Sequence, residues 1–226
     1  MRTLVVIPAR SGSKGLPDKN IKSLNGKPLI HYSIEVAQQI FNNEDICIST
    51  DSDKYIKIAE QTGLKVPFVR PEDLSTDDAT TQDVLLQCLG FYEKKGVFYD
   101  YILLLQPTSP FREKNHLEDI LMANNEECDM IVSVKEADSN PYYVSLEENK
   151  EGYLKKLMEG KFTRRQDCPK VYEYNGSMYL INVKSLKNTL ISNFKKIRKY
   201  EMHSKYSIDI DNQLDFDFAE FIINRL

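Results

Sequence analysis

The chain has 226 residues, of which 41% are hydrophobic, and it carries a formal net charge of −4. This length and composition predict a single α/β domain over residues 1–226, with a small extension. An acidic chain is a poor partner for nucleic acid, which usually requires a basic surface. The apolar runs fall short of the ~20 residues that cross a bilayer, so no membrane partner is expected.

The N-terminal segment and the cysteines predict the cellular compartment. The apolar run after Arg2 stops at Pro8, which is too short for a secretory leader, so we expect a cytoplasmic protein. The cysteines show no CxxC spacing, which favours free thiols and gives no support for a zinc site. They are Cys47, Cys88, Cys128 and Cys168.

The predicted elements alternate between strands and helices along the chain. Apolar or β-rich runs predict strands at residues 3–7, 46–50, 66–69, 101–105, 130–134 and 178–181. Helical spacing predicts helices after Pro28, before Gly63, through residues 84–89, and at 115–124 and 215–226. This alternation predicts a Rossmann-like, three-layer α/β fold with a mostly parallel sheet. Ligands bind at the carboxyl ends of such strands, which selects the loops after residues 7, 69 and 105.

Residues 136–172 break the alternation. The segment is charged and carries residues that favour turns, namely Asn140, Pro141, Gly152, Gly160 and Pro169. We interpret it as a small arm, formed by a hairpin, that protrudes from the sheet.

A glycine-rich, basic loop follows the first predicted strand directly. Glycines let the backbone turn tightly and bring its N–H groups close to a ligand, and basic side chains add charge for phosphate. The loop contains Arg10, Ser11, Gly12, Ser13, Lys14, Gly15, Lys19 and Asn20. It matches neither the Walker A nor the GxGxxG pattern. A solvated loop with incidental lysines is the alternative, but the position after the first strand favours phosphate binding.

A second motif covers the end of the strand at residues 101–105. Gln106 and Thr108 could offer hydrogen bonds there, and two prolines stiffen the exit of the chain. The alternative is a rigid turn with Arg112 as a surface charge. The pattern alone leaves both interpretations open.

Two carboxylates lie near the end of the chain. If residues 207–211 form a strand, Asp209 and Asp211 point to the same face. Such a pair repels unless a cation lies beside it, and oxygen ligands of this kind suit Mg²⁺. The alternative is a solvent-facing strand edge, with Asp211 capping the last helix. A phosphate loop in the same sheet favours the metal, because Mg²⁺ binds both carboxylate and phosphate oxygens.

Adjacent arginines, Arg164 and Arg165, precede a polar stretch that includes Tyr174 and Asn175. Adjacent arginines can hold a carboxylate through paired hydrogen bonds. More often such a pair is only surface charge, and the sequence does not exclude this alternative.

Together these motifs resemble the acylneuraminate cytidylyltransferase family, the CMP-sialic acid synthetases. The resemblance covers nearly the whole chain. It rests on residues 9–20, on the motif from Gln106 to Arg112, on Ser49-Thr50-Asp51, and on Asp209 and Asp211. It implies an enzyme that couples CTP to an acidic nine-carbon sugar, releases pyrophosphate and requires Mg²⁺. It also implies a homodimer built by exchange of the arm.

The resemblance further implies roles for individual residues. Arg10, Lys19 and Asp211 would be catalytic, and Asp209 and Asp211 would hold the metal. The nucleotide would contact Arg10, Ser11, Gly12, Ser13, Lys14, Gly15, Lys19, Asn20, Arg70 and Gln106. The sugar would contact Gln106, Thr108, Arg165, Tyr174 and Asn175, with Arg165 facing the sugar carboxylate.

Two departures from the family pattern leave the sugar open. No lysine follows Pro141, and Glu173 stands where some bacterial relatives have an arginine. The sugar could be N-acetylneuraminate, legionaminic acid or 3-deoxy-octulosonate, and GTP could replace CTP. A glycosyltransferase and a non-catalytic nucleotide-binding module remain as alternatives.

Overall fold

The computed structural model describes residues 1–13, 15–124 and 127–225, so the prediction for Lys14 lies outside the described residues. Within that part the chain forms ten strands and six α-helices. The strands are β1 (Thr3–Pro8), β2 (Ser23–Leu24), β3 (Lys27–Pro28), β4 (Ile46–Ser49), β5 (Tyr101–Leu105), β6 (Met130–Glu136), β7 (Leu146–Glu148), β8 (Leu154–Lys156), β9 (Tyr172–Asn182) and β10 (Ile197–Glu201). The helices are α1 (Leu29–Gln38), α2 (Asp53–Glu60), α3 (Thr81–Glu93), α4 (Lys114–Met122), α5 (Val183–Asn188) and α6 (Gln213–Ile223). None of the helices in the described ranges is both long and apolar enough to span a bilayer.

The central sheet has six strands in the order β10-β6-β9-β5-β1-β4. β1 pairs in parallel with β4 and β5, and β10 pairs in parallel with β6. Only β9 runs against its neighbours in this sheet, between β5 and β6. The predicted mostly parallel α/β fold is therefore confirmed.

Helices cover both faces of the sheet. Along β1, Val5 packs with Ile34 of α1 on one face, whereas Val6 packs with Leu85 of α3 on the other. Since both faces are buried, the strand needs apolar side chains at every position rather than at alternate ones. This requirement explains why β1 and β5 are continuous apolar runs in the sequence.

Two segments predicted as strands are not strands. Residues 66–69 stay outside the sheet, because Pro67 has no N–H to donate to a strand ladder and Val69 is exposed. Residues 207–211 are irregular as well. They are held by the neighbouring loop, where the Ile210 N–H donates to the carbonyl oxygen of Thr108 at 2.9 Å.

β10 and the short helix α5 were not predicted. β10 pairs only with β6, at one edge of the described sheet, and its residues are mostly exposed. Edge strands often carry charged side chains, which remove the apolar signal that marks a buried strand.

Residues 137–171 run outside the central sheet, between β6 and β9. They contain the antiparallel hairpin of β7 and β8. Its turn reverses at Gly152, where φ is +85°, and Asn149 Oδ1 accepts hydrogen bonds from the N–H groups of Glu151 and Tyr153. Several apolar side chains of the hairpin region are exposed, among them Tyr153 and Leu154.

We expect the substitution Leu103→Ala to lower the free energy of unfolding by about 3 kcal/mol, because it opens a cavity in the centre of the sheet. Leu103 lies on β5 and is 0% exposed. Urea unfolding followed by circular dichroism measures the change. Leu214→Ala is the matched control, because Leu214 is 76% exposed on α6. The control should stay within about 0.5 kcal/mol of the parent protein. Equal losses in the two variants would contradict the buried position of β5.

Candidate active site

A cleft of about 530 Å³ lies at the carboxyl ends of β1 and β5, which is the expected ligand position in this class of sheet. It includes nine residues that the sequence predicts for the site. These are Arg10, Ser13, Gly15, Lys19, Asn20, Arg70, Gln106, Thr108 and Asp211. One wall, formed by residues between 74 and 85, was not predicted.

The basic loop is fixed to the sheet by its own side chains. Ser11 donates to Asp51 at the end of β4 twice, from its backbone N–H and from its hydroxyl, both at 2.9 Å. Asn20 Nδ2 donates to the carbonyl oxygen of Arg10 at 3.2 Å. Ser11 and Gly12 are not among the cleft-lining residues. Within this loop, Ser11 therefore anchors the backbone.

The two ends of the chain meet in the cleft. Lys19 Nζ lies 2.9 Å from Asp211 Oδ1, and the lysine side chain is only 12% exposed. Gly15 touches the same segment so closely that a Cβ there would lie 2.4 Å from the carbonyl oxygen of Asp211. The loop that carries the cations and the segment that carries the carboxylates thus form one site.

Asp209 lies deeper than Asp211. Its Oδ1 is shielded from solvent and has no hydrogen-bond partner among the described residues. Burial raises the pKa of Asp209, and a hydrogen bond from Thr108 opposes this effect. The charges of Lys19 and Arg112 also lower its pKa, whereas the charge of Asp211 raises it. The fold therefore holds Asp209 Oδ1 near the Asp211 carboxylate, and no described residue donates a hydrogen bond to this oxygen.

This donor set fits Mg²⁺. In the described part of the chain, no group of three or more acidic, histidine or cysteine side chains is arranged around a metal position. Mg²⁺ does not need such a cage, because it is usually bound by one or two carboxylates, water and substrate phosphates. The unpaired Oδ1 of Asp209 and the exposed carboxylate of Asp211 supply two such oxygens.

Arg112 is buried. This finding rules out the interpretation of the motif from Gln106 to Arg112 as a rigid turn with Arg112 as a surface charge. Arg112 is 4% exposed and donates to the hydroxyls of Ser33, at 2.8 Å, and Ser177, at 3.1 Å. It also donates to the backbone oxygen of Gln106. Burial lowers the pKa of Arg112. The buried guanidinium therefore fixes the backbone from which Gln106 faces the cleft.

Arg70 reaches the cleft from beside β4. It is 5% exposed, and its Nε donates to the Ser49 hydroxyl at 2.9 Å. Its Nη2 donates to the Ser49 backbone oxygen, and burial lowers its pKa. These contacts give Arg70 a fixed orientation at the wall of the cleft.

The wall that was not predicted lies around the start of α3. Thr80 forms a capping box with Asp83, and both Thr80 and Thr81 line the cleft. Asp77 in the same wall accepts a hydrogen bond from Arg10 Nη1 at 2.8 Å. A sequence signal was present, since Thr80-x-x-Asp83 has the spacing of a helix start. That signal does not reveal that the helix opens onto a cleft.

The residues predicted to contact the sugar do not all reach this cleft. Asn175 is 3% exposed, and its amide donates to Ser207 and accepts from Ser133. It lies beneath the site, which corrects the expectation of direct contact. Tyr174 and Arg165 are exposed, on β9 and on the arm, and neither is among the cleft-lining residues of the same chain.

The fold and the cleft define an α/β domain with a ligand cleft, in which cations and carboxylates meet at the carboxyl ends of the strands. The sequence profile of the cytidylyltransferase family matches residues 4–222. The chain therefore belongs to this family.

Named relatives are similar over almost all of the chain. An N-acylneuraminate cytidylyltransferase of Streptococcus agalactiae serotype V is 36% identical over 96% of this chain and 52% of its own length. A CMP-N,N'-diacetyllegionaminic acid synthase of Legionella pneumophila is 34% identical over 97% of this chain and 95% of its own length. The chain thus spans about half the length of some curated relatives it matches, including the streptococcal protein.

The comparison of structures supports the fold. A CMP:2-keto-3-deoxy-manno-octonic acid synthetase solved in complex with CTP superposes with a TM-score of 0.71. The superposition covers 100% of this chain and 99% of the other, at 18% identity. At that identity the likeness establishes the shared fold alone.

We expect Arg112→Met to lower the free energy of unfolding by about 3 kcal/mol, because it leaves buried hydrogen-bond acceptors without their donor. Guanidinium unfolding measures the change. Arg198→Met is the control, because Arg198 is exposed on the edge strand β10. A loss in Arg112→Met no larger than in the control would contradict the structural role of the buried arginine.

Proposed function

We propose that the chain transfers CMP from CTP to a nonulosonic acid of the sialic acid type and releases pyrophosphate. The proposal rests on one observation above all, the ion pair of 2.9 Å between Lys19 and Asp211 inside the cleft. It brings the basic loop and Asp211 together in the same cleft, and Asp209 lies two residues before Asp211 in the sequence. Membership of the cytidylyltransferase family supports CTP as the donor.

The residues of the cleft suggest an in-line displacement. The anomeric hydroxyl of the sugar attacks the α-phosphorus of CTP, so a C–O–P bond forms as the bond to the β-phosphate bridging oxygen breaks. Arg10 and Lys19 stabilise the negative charge that develops on the departing pyrophosphate. Asp211 is our candidate for the group that takes the proton of the hydroxyl, since its side chain is 75% exposed and faces the cleft.

Mg²⁺ is part of the proposal. Asp209 and Asp211 would hold it, and the bound ion would neutralise charge on the phosphates. Lys19, which pairs with Asp211, would then turn to the phosphates. Arg70 and Gln106 would hold the cytidine or the sugar, since both line the cleft.

The sugar is best tested with a panel. Pyrophosphate release should be measured with CTP and GTP against N-acetylneuraminate, legionaminic acid, pseudaminic acid and 3-deoxy-octulosonate. We expect release with CTP and at least one nine-carbon acid. Relatives named for N-acylneuraminate, diacetyllegionaminic acid and pseudaminic acid motivate the panel. Release with GTP alone, or with none of the sugars, would contradict the proposal.

Two alternatives from other classes give different results in this assay. A glycosyltransferase would consume a nucleotide sugar and would release no pyrophosphate from CTP. A non-catalytic module would bind CTP without turnover. Membership of the cytidylyltransferase family favours the proposed reaction over either alternative.

Replacing either carboxylate of the pair should abolish the reaction. We expect Asp209→Asn and Asp211→Asn each to lower kcat by at least ~100-fold while the circular dichroism spectrum stays unchanged, because the charge that holds the cation is lost. Asp217→Asn, an exposed aspartate on α6, is the control and should keep its activity. Full activity in either of the first two variants would remove the metal from the mechanism.

We further propose that the chain acts in the cytoplasm as a homodimer, with the arm of one chain reaching the cleft of the other. The exposed apolar side chains of the β7–β8 hairpin support this arrangement. Arg165 would then face the sugar carboxylate of the partner's site, because it is exposed and does not line its own cleft.

Mixed dimers test this arrangement. Arg165→Ala and Asp211→Asn should each be nearly inactive alone. After subunit exchange the mixture should recover about a quarter of the parent activity, since half the dimers are mixed and each has one intact site. Arg164→Ala, mixed in the same way, controls for loss of arm charge. No recovery would show that Arg165 does not act across the dimer.

A further inference from the structure

Three consecutive residues of β9 lie against Asp209 or bind groups next to it. Gly176 lies against its carboxylate, Asn175 binds Ser207, and Ser177 binds Arg112. β9 pairs with β6, and the register between them shifts between Val132 and Val134. Gly176 lies in this irregular part of the strand with a φ of +71°. The three nearest described atoms that a Cβ at Gly176 would meet all belong to the carboxyl group of Asp209.

Gly176 leaves room that no other residue type would leave. A Cβ at this position would lie 2.6 Å from Asp209 Oδ2 and 3.1 Å from its Cγ. The carboxylate therefore rests directly against the backbone of β9. A side chain at residue 176 would force the Asp209 carboxylate to rotate or shift away from this position.

Asn175 fixes the segment that carries the carboxylate. Its Nδ2 donates to the Ser207 hydroxyl at 2.9 Å, and Ser207 lies two residues before Asp209 in the sequence. Its Oδ1 accepts from the Ser133 hydroxyl at 2.6 Å and from the Ser177 N–H at 3.1 Å. One buried amide thus ties β6, β9 and the segment of residues 207–211 together.

Ser177 places a positive charge near the same carboxylate. Its hydroxyl accepts from Arg112 Nε at 3.1 Å. The charge of Arg112 interacts favourably with that of Asp209. The three consecutive residues therefore act on one group in three ways, through a hydrogen bond to its segment, through space for its oxygens and through its counter-charge.

We infer that Asn175, Gly176 and Ser177 form a seat that sets the position of the Asp209 carboxylate for a divalent cation, with Gly176 as the determining residue. The inference rests on the proposed function, because it assigns the seat to the proposed metal ligand. Gly176 is a positioning residue. It is not among the residues that line the cleft, and it acts through Asp209.

The substitution Gly176→Ala tests the seat, and Gly63→Ala is its matched control. Gly63 has a similar φ of +81°, and a Cβ there would meet no described atom within 4 Å. Both substitutions impose the same kind of backbone strain, but only one displaces the carboxylate. The two variants therefore separate strain from the position of Asp209.

The readout is the affinity for CTP, measured by calorimetry with Mg²⁺ and again with EDTA. The dissociation constant in EDTA divided by the dissociation constant with Mg²⁺ reports how much the cation alone tightens CTP binding. We expect this ratio to fall ~10-fold in Gly176→Ala, as for groups that orient a metal ligand. The affinity in EDTA should stay near that of the parent, and the ratio in Gly63→Ala should stay within about twofold of it. A merely structural defect would instead lower both affinities together.

A second pair of variants covers the case in which Gly176→Ala does not fold. Ser207→Ala removes the hydroxyl that Asn175 holds, and Ser185→Ala removes a hydroxyl bound to Asp129 elsewhere. Only Ser207→Ala should reduce the ratio. A parent-like ratio in Gly176→Ala, or in Ser207→Ala if the first variant is unfolded, would overturn the inference.

The parent protein separates failure of the seat from failure of the proposed function. Suppose that the parent releases pyrophosphate and binds CTP more tightly with Mg²⁺. A parent-like ratio in Gly176→Ala then overturns the seat and leaves the proposed function intact. If the parent shows neither property, the proposed function and the seat fall together.

Discussion

The site depends on the contact between the two ends of the chain, where Lys19 meets Asp211. An ion pair of this kind, with one side chain 75% exposed, contributes little on its own. The contact is held by apolar packing beneath it. Leu16 of the basic loop packs with Ile210 and with Phe216 of α6 in a small buried cluster. The hydrophobic effect thus brings the loop and the carboxylate segment together, and the charges follow.

The sequence predicts the interior of the sheet well because burial on both faces leaves a local signal. β1 and β5 need apolar side chains throughout, so their composition reveals them. The segment at residues 66–69 has the same β-rich composition, but Pro67 prevents pairing. β10 is the converse case, because its exposed and partly charged residues pair with β6, which lies about 60 residues earlier in the sequence. Long-range pairing of this kind leaves no trace in a short window of sequence.

The candidate site shows the same contrast between local composition, which the sequence reveals, and long-range contacts, which it does not. Residue types indicate which chemistry is present, and so the loop around Arg10 and the pair of aspartates could be predicted. The direction of a side chain is set by its neighbours in space. Arg112 turns inward because Ser33 and Ser177 offer acceptors from distant elements. Asn175 faces inward because Ser133 and Ser207 lie beneath it. Neither partner set could be predicted from the local motif.

Two cations of the cleft, Arg10 and Lys19, are each paired with a carboxylate. Arg10 is held by Asp77, and Lys19 is held by Asp211. A triphosphate that takes over these cations must break the pairs, so part of its attraction is offset by the contacts it replaces. A cation that arrives with the phosphates would restore the balance, because it offers the released carboxylates a new partner. The unpaired oxygen of Asp209 adds to this effect, since its burial without a donor raises the free energy of the ligand-free state. Under the proposed function, this arrangement would favour joint binding of nucleotide and metal over binding of either one alone.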